Sequence, residues 1–220
     1  MTNKDKVELI SVTQPSDYNN NPEELIAYCA RVSNPSNQHN HETAPKLLNF
    51  CIRHGHWSIF EMVDMCVSVE TSRAIAAQII RHRSFSFQEF SQRYSKVPSI
   101  QHIELRSQGK TNRQVGEDII NPSLSDSTKA DEKIKQVLQD TQDCYNKLID
   151  AGVARESARM IMPMASTTKL YMKGSIRSWI HYINLRTKED TQKEHREIAE
   201  LIKKIFVSQF PIVSKALDWA

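Results

Sequence analysis

The sequence has no Cys-x-x-Cys pair, no Gly-x-Gly-x-x-Gly turn and no apolar run near the roughly 20 residues that span a bilayer. Each absence excludes something. The four cysteines, Cys29, Cys51, Cys66 and Cys144, are scattered; Cys29 and Cys51 fall within apolar helical patterns, where a free thiol behaves as a small buried hydrophobe. A reduced, cytoplasmic chain without structural disulfides is expected. The missing glycine turn removes the usual dinucleotide cradle, so a dinucleotide would need another device. Met1-Thr2-Asn3-Lys4-Asp5-Lys6 lacks the apolar core of a secretory signal. A formal charge of +3 is too small to announce a nucleic-acid binder, so the placement of basic residues matters more than their total. The sequence carries no internal repeat.

What is present suits one globular domain. The 220 residues are 39% hydrophobic and 25% charged, enough to bury a substantial core. Residues 7–12 read as a strand. Asn21-Pro22-Glu23-Glu24 opens a helix through Leu25, Ile26, Tyr28 and Cys29, with Asn as cap, Pro in the first turn and acids at the positive end of the dipole. After a polar loop at 34–41, Leu47, Leu48, Cys51 and Ile52 mark a second helix. Alternation at Val63, Met65, Val67 and Val69 predicts a strand over 62–70; Thr71-Ser72 then caps a helix from 73 to about 83. The polar stretch 107–128 reads as a flexible surface insert. A long amphipathic helix follows at 131–151, closed by Gly152. A short helix at 155–161, a strand at 167–171 and helices at 175–185 and 191–208 complete an α+β architecture.

The chemistry concentrates between Gln78 and Ser95. Arg81, His82, Arg83, Glu89, Ser91, Arg93 and Tyr94 fall within this span, with Phe85, Phe87 and Phe90 to hold it against a core. Such a density of fork-shaped donors suits a phosphate beside a planar polar ring. Two other readings apply to a basic run of this kind. It can be a solvated helix end that complements the dipole, or a nucleic-acid-binding module in which arginines alternate with aromatics.

Arg81-His82-Arg83, then seven residues, then Ser91 resembles the signature of the flavin-dependent thymidylate synthases. His54-Gly55-His56-Trp57-Ser58, Ala30-Arg31-Val32-Ser33, Arg155-Glu156-Ser157-Ala158-Arg159 and Asn184-Leu185-Arg186 resemble further family motifs in the same order, so the likeness covers nearly the whole chain apart from the 107–128 insert. Versions from large DNA viruses are similar. The resemblance implies a single catalytic domain over 1–220, with a central, mainly antiparallel sheet packed with helices. It also implies reductive methylation of dUMP to dTMP, with 5,10-methylenetetrahydrofolate as carbon donor, FAD as flavin and NADPH as reductant, in a homotetramer with sites shared between subunits. No nucleic acid, membrane or metal is expected.

By the same resemblance Ser33, Ser58, Glu61, Arg81, His82, Arg83, Glu89, Ser175, Ile176, Arg177, His181 and Leu185 would contact the flavin. Gln78, Ile79, Ile80, Arg81, Glu89, Phe90, Ser91, Gln92, Arg93, Arg155 and Arg186 would frame the nucleotide. The catalytic set would be Arg186, polarising the pyrimidine, His56, and Ser91, as a substrate contact in preference to a nucleophile. A metal reading of His54, His56 and His82 lacks the three or four gathered ligands that zinc requires. Gln92, Ser175, His181 and Asp190 depart from residues common in the family, Gly at the first position, Asn at the next two and His at the last.

Overall fold

The computed structural model describes residues 6–16 and 21–220. These form six strands, β1 (Lys6–Val12), β2 (Asp64–Ser72), β3 (Ser86–Glu89), β4 (Arg106–Gln108), β5 (Gly116–Ile119) and β6 (Thr167–Ser175). The helices are α1 (Pro22–Ala30), α2 (Ala44–Arg53), α3 (Arg73–Ile79), α4 (Ala130–Asp150), α5 (Arg155–Ala158), α6 (Ile176–Arg186), α7 (Lys193–Gln209) and α8 (Pro211–Ala216). An antiparallel sheet in the order β1-β2-β6-β3 lies at the centre, and β4 pairs with β5 in a separate hairpin.

The central pair shows why the pattern folds this way. Met65, Val67 and Val69 of β2 and Leu170 and Met172 of β6 are fully buried on one face. The other face carries cross-strand ion pairs, Lys169 to Glu70 at 3.0 Å and Lys173 to Asp64 at 2.6 Å. Period-two alternation thus separates core from water. The buried Trp179 of α6 donates its indole N–H to the Met65 carbonyl at 3.0 Å and so ties helix to sheet.

Both central strands run directly into helices through a serine cap. The Ser72 hydroxyl accepts from the Ile75 N–H at 3.4 Å, and the Ser175 hydroxyl accepts from the Ser178 N–H at 3.3 Å. Because β2 and β6 are antiparallel, with Ser72 opposite Thr167 and Asp64 opposite Ser175, α3 and α6 start at opposite ends of the pair. Their C-terminal ends then meet, which places His82, just past α3, against Arg186, the last residue of α6.

Several expectations are corrected. Helix α3 stops at Ile79, short of 83, because the chain turns to lay β3 beside β6. Strand β6 continues to Ser175, beyond 171, since Leu170, Met172 and Gly174 keep the inward alternation. The 107–128 stretch, expected as a flexible surface insert, contains the exposed strand β5, paired with β4. Strand β3 and helix α8 had no counterpart in the sequence pattern.

Gly174 fixes the start of the signature loop. A methyl group there would sit 2.5 Å from a ring carbon of Phe85, whose ring packs edge-on to Trp179 at 4.6 Å between centroids. Gly174→Ala is therefore expected to cost about 1–3 kcal/mol through overpacking. It should also displace the loop that carries His82. A denaturation midpoint and activity both unchanged from the parent would contradict this coupling.

Candidate active site

The site grows from the junction of α3, α6 and β3. Arg186 donates from Nε to Nε2 of His82 at 2.9 Å. An acceptor at Nε2 requires a neutral imidazole with its proton on Nδ1. Burial first, then the Arg186 charge, then His181, push the His82 pKa down to about 4, so the ring is neutral at pH 7. The ring stands edge-on to Tyr182, with centroids 4.9 Å apart. Arg186 is thereby held through one nitrogen, and its two terminal amino groups have no protein partner among the described residues.

Three guanidinium groups of the same signature segment lack counter-ions among the described residues. Arg81, Arg83 and Arg93 are exposed and form neither ion pairs nor side-chain hydrogen bonds among the described residues. Most arginines elsewhere are occupied: Arg106 holds Glu104 and Glu194, and Arg31 is buried against the Asn40 carbonyl and the Thr43 hydroxyl, a structural role. The buried Gln92 side chain leaves its amide nitrogen unbonded beside this cluster. An unmet buried donor among unpaired cations is what an anionic, oxygen-rich ligand would satisfy.

Glu89 is engaged on the protein side. Its Oε1 accepts from Arg73 at 2.8 Å and from the Thr168 hydroxyl at 2.9 Å. Sequence reasoning missed Arg73, although a cation in the first turn of a helix, against the dipole, was a signal that it serves another partner. Arg155 reaches the Tyr94 carbonyl at 3.0 Å and so joins the end of the signature loop. Ser91 lies exposed on the turn closed by Tyr94 N–H and Ser95 N–H to its carbonyl, at 3.1 and 3.0 Å. Among the described residues no base hydrogen-bonds its hydroxyl. Phe90 is half-buried, with its N–H on the Lys169 carbonyl at 2.8 Å.

A cleft of about 490 Å³ opens beside this cluster, lined by Trp57, Glu61, Ser84, Arg177, His181 and Asn184 among others. Arg177 pairs with Glu61 at 2.8 Å, and the turn Ser58–Glu61 packs on α6. Arg177 and His181, four apart on α6, share its wall. Ser175 is nearly buried as the α6 cap.

Other residues named from the sequence lie elsewhere. Ile79 and Ile176 are fully buried in the core, so neither side chain is open to a ligand; the Ile176 N–H is already given to the Val63 carbonyl at 2.9 Å. Ile80 and Leu185 are exposed. Ser33 lines a separate depression with Arg31 and Asn34. His56 is exposed and its ring lies edge-on to Phe50 at 5.9 Å, while His54 stacks on the same ring at 4.0 Å. His82 is turned to Arg186 instead of joining them.

Comparison with known proteins agrees with this geometry. A family model described as "Thymidylate synthase complementing protein" matches residues 16–212. A probable flavin-dependent thymidylate synthase of Paramecium bursaria Chlorella virus 1 is 51% identical over 213 residues, covering 96% of this chain and 98% of that one. The flavin-dependent thymidylate synthase of Synechocystis sp. is 49% identical over 219 residues, covering 97% and 99%. The fold is shared with a UMP/dUMP methylase, PolB, of Streptomyces cacaoi solved with 5-Br dUMP, at a TM-score of 0.79 and 22% identity over 99% of this chain and 96% of that one. The neutral His82 that holds Arg186, the unpaired arginines of the signature loop and these near-full-length matches lead to one conclusion: the chain belongs to the family of the flavin-dependent thymidylate synthases.

Proposed function

We propose that this chain converts dUMP to dTMP, with 5,10-methylenetetrahydrofolate as carbon donor, FAD as bound cofactor and NADPH as reductant. It does so as a cytoplasmic homotetramer whose sites are shared between subunits. The observation that carries the reading is Arg186, fixed through Nε by a neutral base, His82, that itself belongs to the segment carrying three unpaired arginines, and presenting two amino groups without a partner among the described residues.

The residues divide by chemistry. Arg93 and Arg155 suit the nucleotide phosphate, which guanidinium forks bind in two-point fashion, with the Ser91 hydroxyl and the unbonded Gln92 amide as further donors. Gln78, through its side-chain amide, suits the uncharged polar groups of the nucleotide. Arg186 stabilises negative charge on the pyrimidine, and its pre-set orientation avoids reorganisation when that charge develops. His82 stays neutral and so adds no competing cation.

The cleft fits a flavin. Trp57 and Ile180 provide apolar walls for a planar ring, and Arg177 and His181 provide donors for a diphosphate and an adenine; Arg81 and Arg83, exposed and unpaired on the signature loop that Ser84 continues into the cleft, would add further donors. When bound, FAD supplies the reducing equivalents that turn the transferred carbon into a methyl group. Glu61 borders the same space from the turn below α6, with Ser58 on that same turn, whereas Ser33 and His56 would reach a cofactor only from another subunit.

The test is a spectrum followed by turnover. Purified protein should carry a flavin absorbance, oxidise NADPH faster when dUMP is added, and form dTMP with the folate donor. Colourless, folded protein that refuses added FAD would overturn the reading. Ser91→Ala should weaken kcat/KM by about 10- to 100-fold, the worth of one hydrogen bond to a charged group, and leave slow dTMP formation. Total loss with dUMP affinity intact would instead make Ser91 the nucleophile.

A further inference from the structure

Behind Gln78 lies a buried chain of hydrogen bonds that neither the reaction nor the signature explains. His195 of α7 is 0% exposed, and its Nδ1 lies 3.2 Å from Gln78 Oε1. Its Nε2 lies 3.0 Å from the hydroxyl of Tyr182, which is equally enclosed. On the other side Gln78 Nε2 donates to Gln192 Oε1 at 2.6 Å, and Gln192 Nε2 donates to Glu194 Oε2 at 2.9 Å. Arg106 holds the other Glu194 oxygen.

The direction of every bond in this chain is determined from one end. An ionised Glu194 only accepts, so the amino group of Gln192 must face it and its oxygen must face Gln78. The Gln78 amino group is then turned to Gln192, and its oxygen to His195. Nδ1 of His195 must accordingly carry the proton. Nε2 is left as acceptor for the Tyr182 hydroxyl, which makes no other side-chain hydrogen bond. Burial agrees at both ends: it pushes His195 down to about 3, with Arg186 and His82 adding to the effect, and it pushes the Tyr182 pKa well up. The imidazole is neutral and the phenol keeps its proton.

We infer that His195, held in its Nδ1–H tautomer by the Gln78 oxygen and seated by Tyr182, is a positioning residue that together with Gln192 fixes which face of the Gln78 amide meets the substrate nucleotide. The inference rests on the proposal that Gln78 borders the nucleotide. One N–H of that amide and one lone pair of its oxygen remain for a ligand, in an arrangement that cannot invert without breaking the chain at Gln192. Without His195 the amide is held from one side only and its remaining N–H and lone pair are no longer aimed, and a mismatched polar pair is strongly penalised in a buried site. A histidine inside the apolar face formed by Ile198, Ala199 and Ile202 is costly unless both nitrogens are used, and here both are.

The experiment compares His195→Leu, His195→Asn and Tyr182→Phe in the flavin-loaded enzyme, with dUMP affinity and turnover measured beside the melting profile and flavin absorbance. His195→Leu should weaken dUMP binding by about 10- to 100-fold with flavin retained. His195→Asn, whose amide can replace the Nδ1 donor, should recover most of that affinity although the Tyr182 hydroxyl loses its partner and stability falls. Should His195→Leu fail to fold, nitrogen NMR of the imidazole carries the test: a single Nδ1–H tautomer in the parent, retained in Tyr182→Phe because the Gln78 oxygen dictates it. Wild-type affinity in folded His195→Leu, no recovery in His195→Asn, or an Nε2–H tautomer in the parent would each overturn the inference. Failure of the parent itself to bind dUMP would overturn the proposed function instead.

Discussion

Arg186→Ala is expected to lower kcat/KM for dTMP formation by about three orders of magnitude, the scale seen when a preorganised electrostatic donor is removed. Flavin absorbance and melting temperature should change little. Arg186 is half-buried at the end of α6, and its side chain is held by a single bond to a neutral ring that does not need it to remain folded. The loss should fall mainly on kcat, because Arg93, Arg155 and Ser91, the proposed phosphate contacts, are untouched. Arg186→Lys is not expected to rescue. An ammonium has no secondary nitrogen to engage His82 while two further donors face the substrate, so anchoring and polarisation compete for one group. The measurement is steady-state kinetics with varied dUMP, alongside a direct binding titration. Activity within tenfold of the parent in Arg186→Ala would remove this residue from the chemistry.

What the sequence made legible was local. Asn21-Pro22-Glu23 announces α1, and the Asn21 side chain indeed accepts from the Glu23 N–H at 2.9 Å. Alternation over Val63 to Val69 marks β2, and Gly152, with φ of +83°, closes the helix after Ala151 as its position suggested. The signature segment stood out because its arginines cluster, and Arg81, Arg83 and Arg93 are indeed unpaired among the described residues. Partnerships set by the fold were not. Strand β3 is four residues long and exists through pairing with β6, so its own composition carries almost no period. Glu89 is bonded by Arg73 and Thr168, which arrive from two other elements. Helix α8 begins where it does because the buried Glu23 carboxylate accepts the N–H groups of Ile212 and Val213 at 3.2 and 2.7 Å. No window of sequence contains both ends of that cap. His195 could have been noticed, since a histidine at the spacing of Ile198 and Ile202 breaks an otherwise apolar face.

The same buried groups make a second large effect, in the response to acid. Folding lowers His195 from 6.5 to about 3 and His82 from 6.5 to about 4, so below pH 6.5 the unfolded chain takes up protons that the folded chain refuses. Stability from these two groups is fully present above pH 6.5 and is lost as pH falls through the folded values, by at most about 5 kcal/mol for His195 and about 3 kcal/mol for His82. Glu23 acts with the opposite sign. Its carboxyl is raised from 4.5 to about 7, chiefly by burial, so its contribution is complete below pH 4.5 and disappears as pH rises through 7. Protonation of Glu23 therefore offsets up to about 3 kcal/mol of the histidine loss between pH 7 and 4.5, and has nothing left to give below that. The stability curve should fall by about 1.4 kcal/mol per pH unit between pH 6.5 and 4.5, where Glu23 offsets one of the two histidines, and more steeply below 4.5, because that offset ends while His195 continues to titrate and the depressed Glu194 carboxyl joins it. Denaturant unfolding at half-unit pH steps reads this shape directly. Glu23→Gln, neutral at every pH, should move the onset of the steeper fall up towards pH 6.5, and His195→Asn should flatten it. A parent curve that declines evenly from pH 7 to 4, unchanged in both variants, would show that neither group titrates as its burial requires.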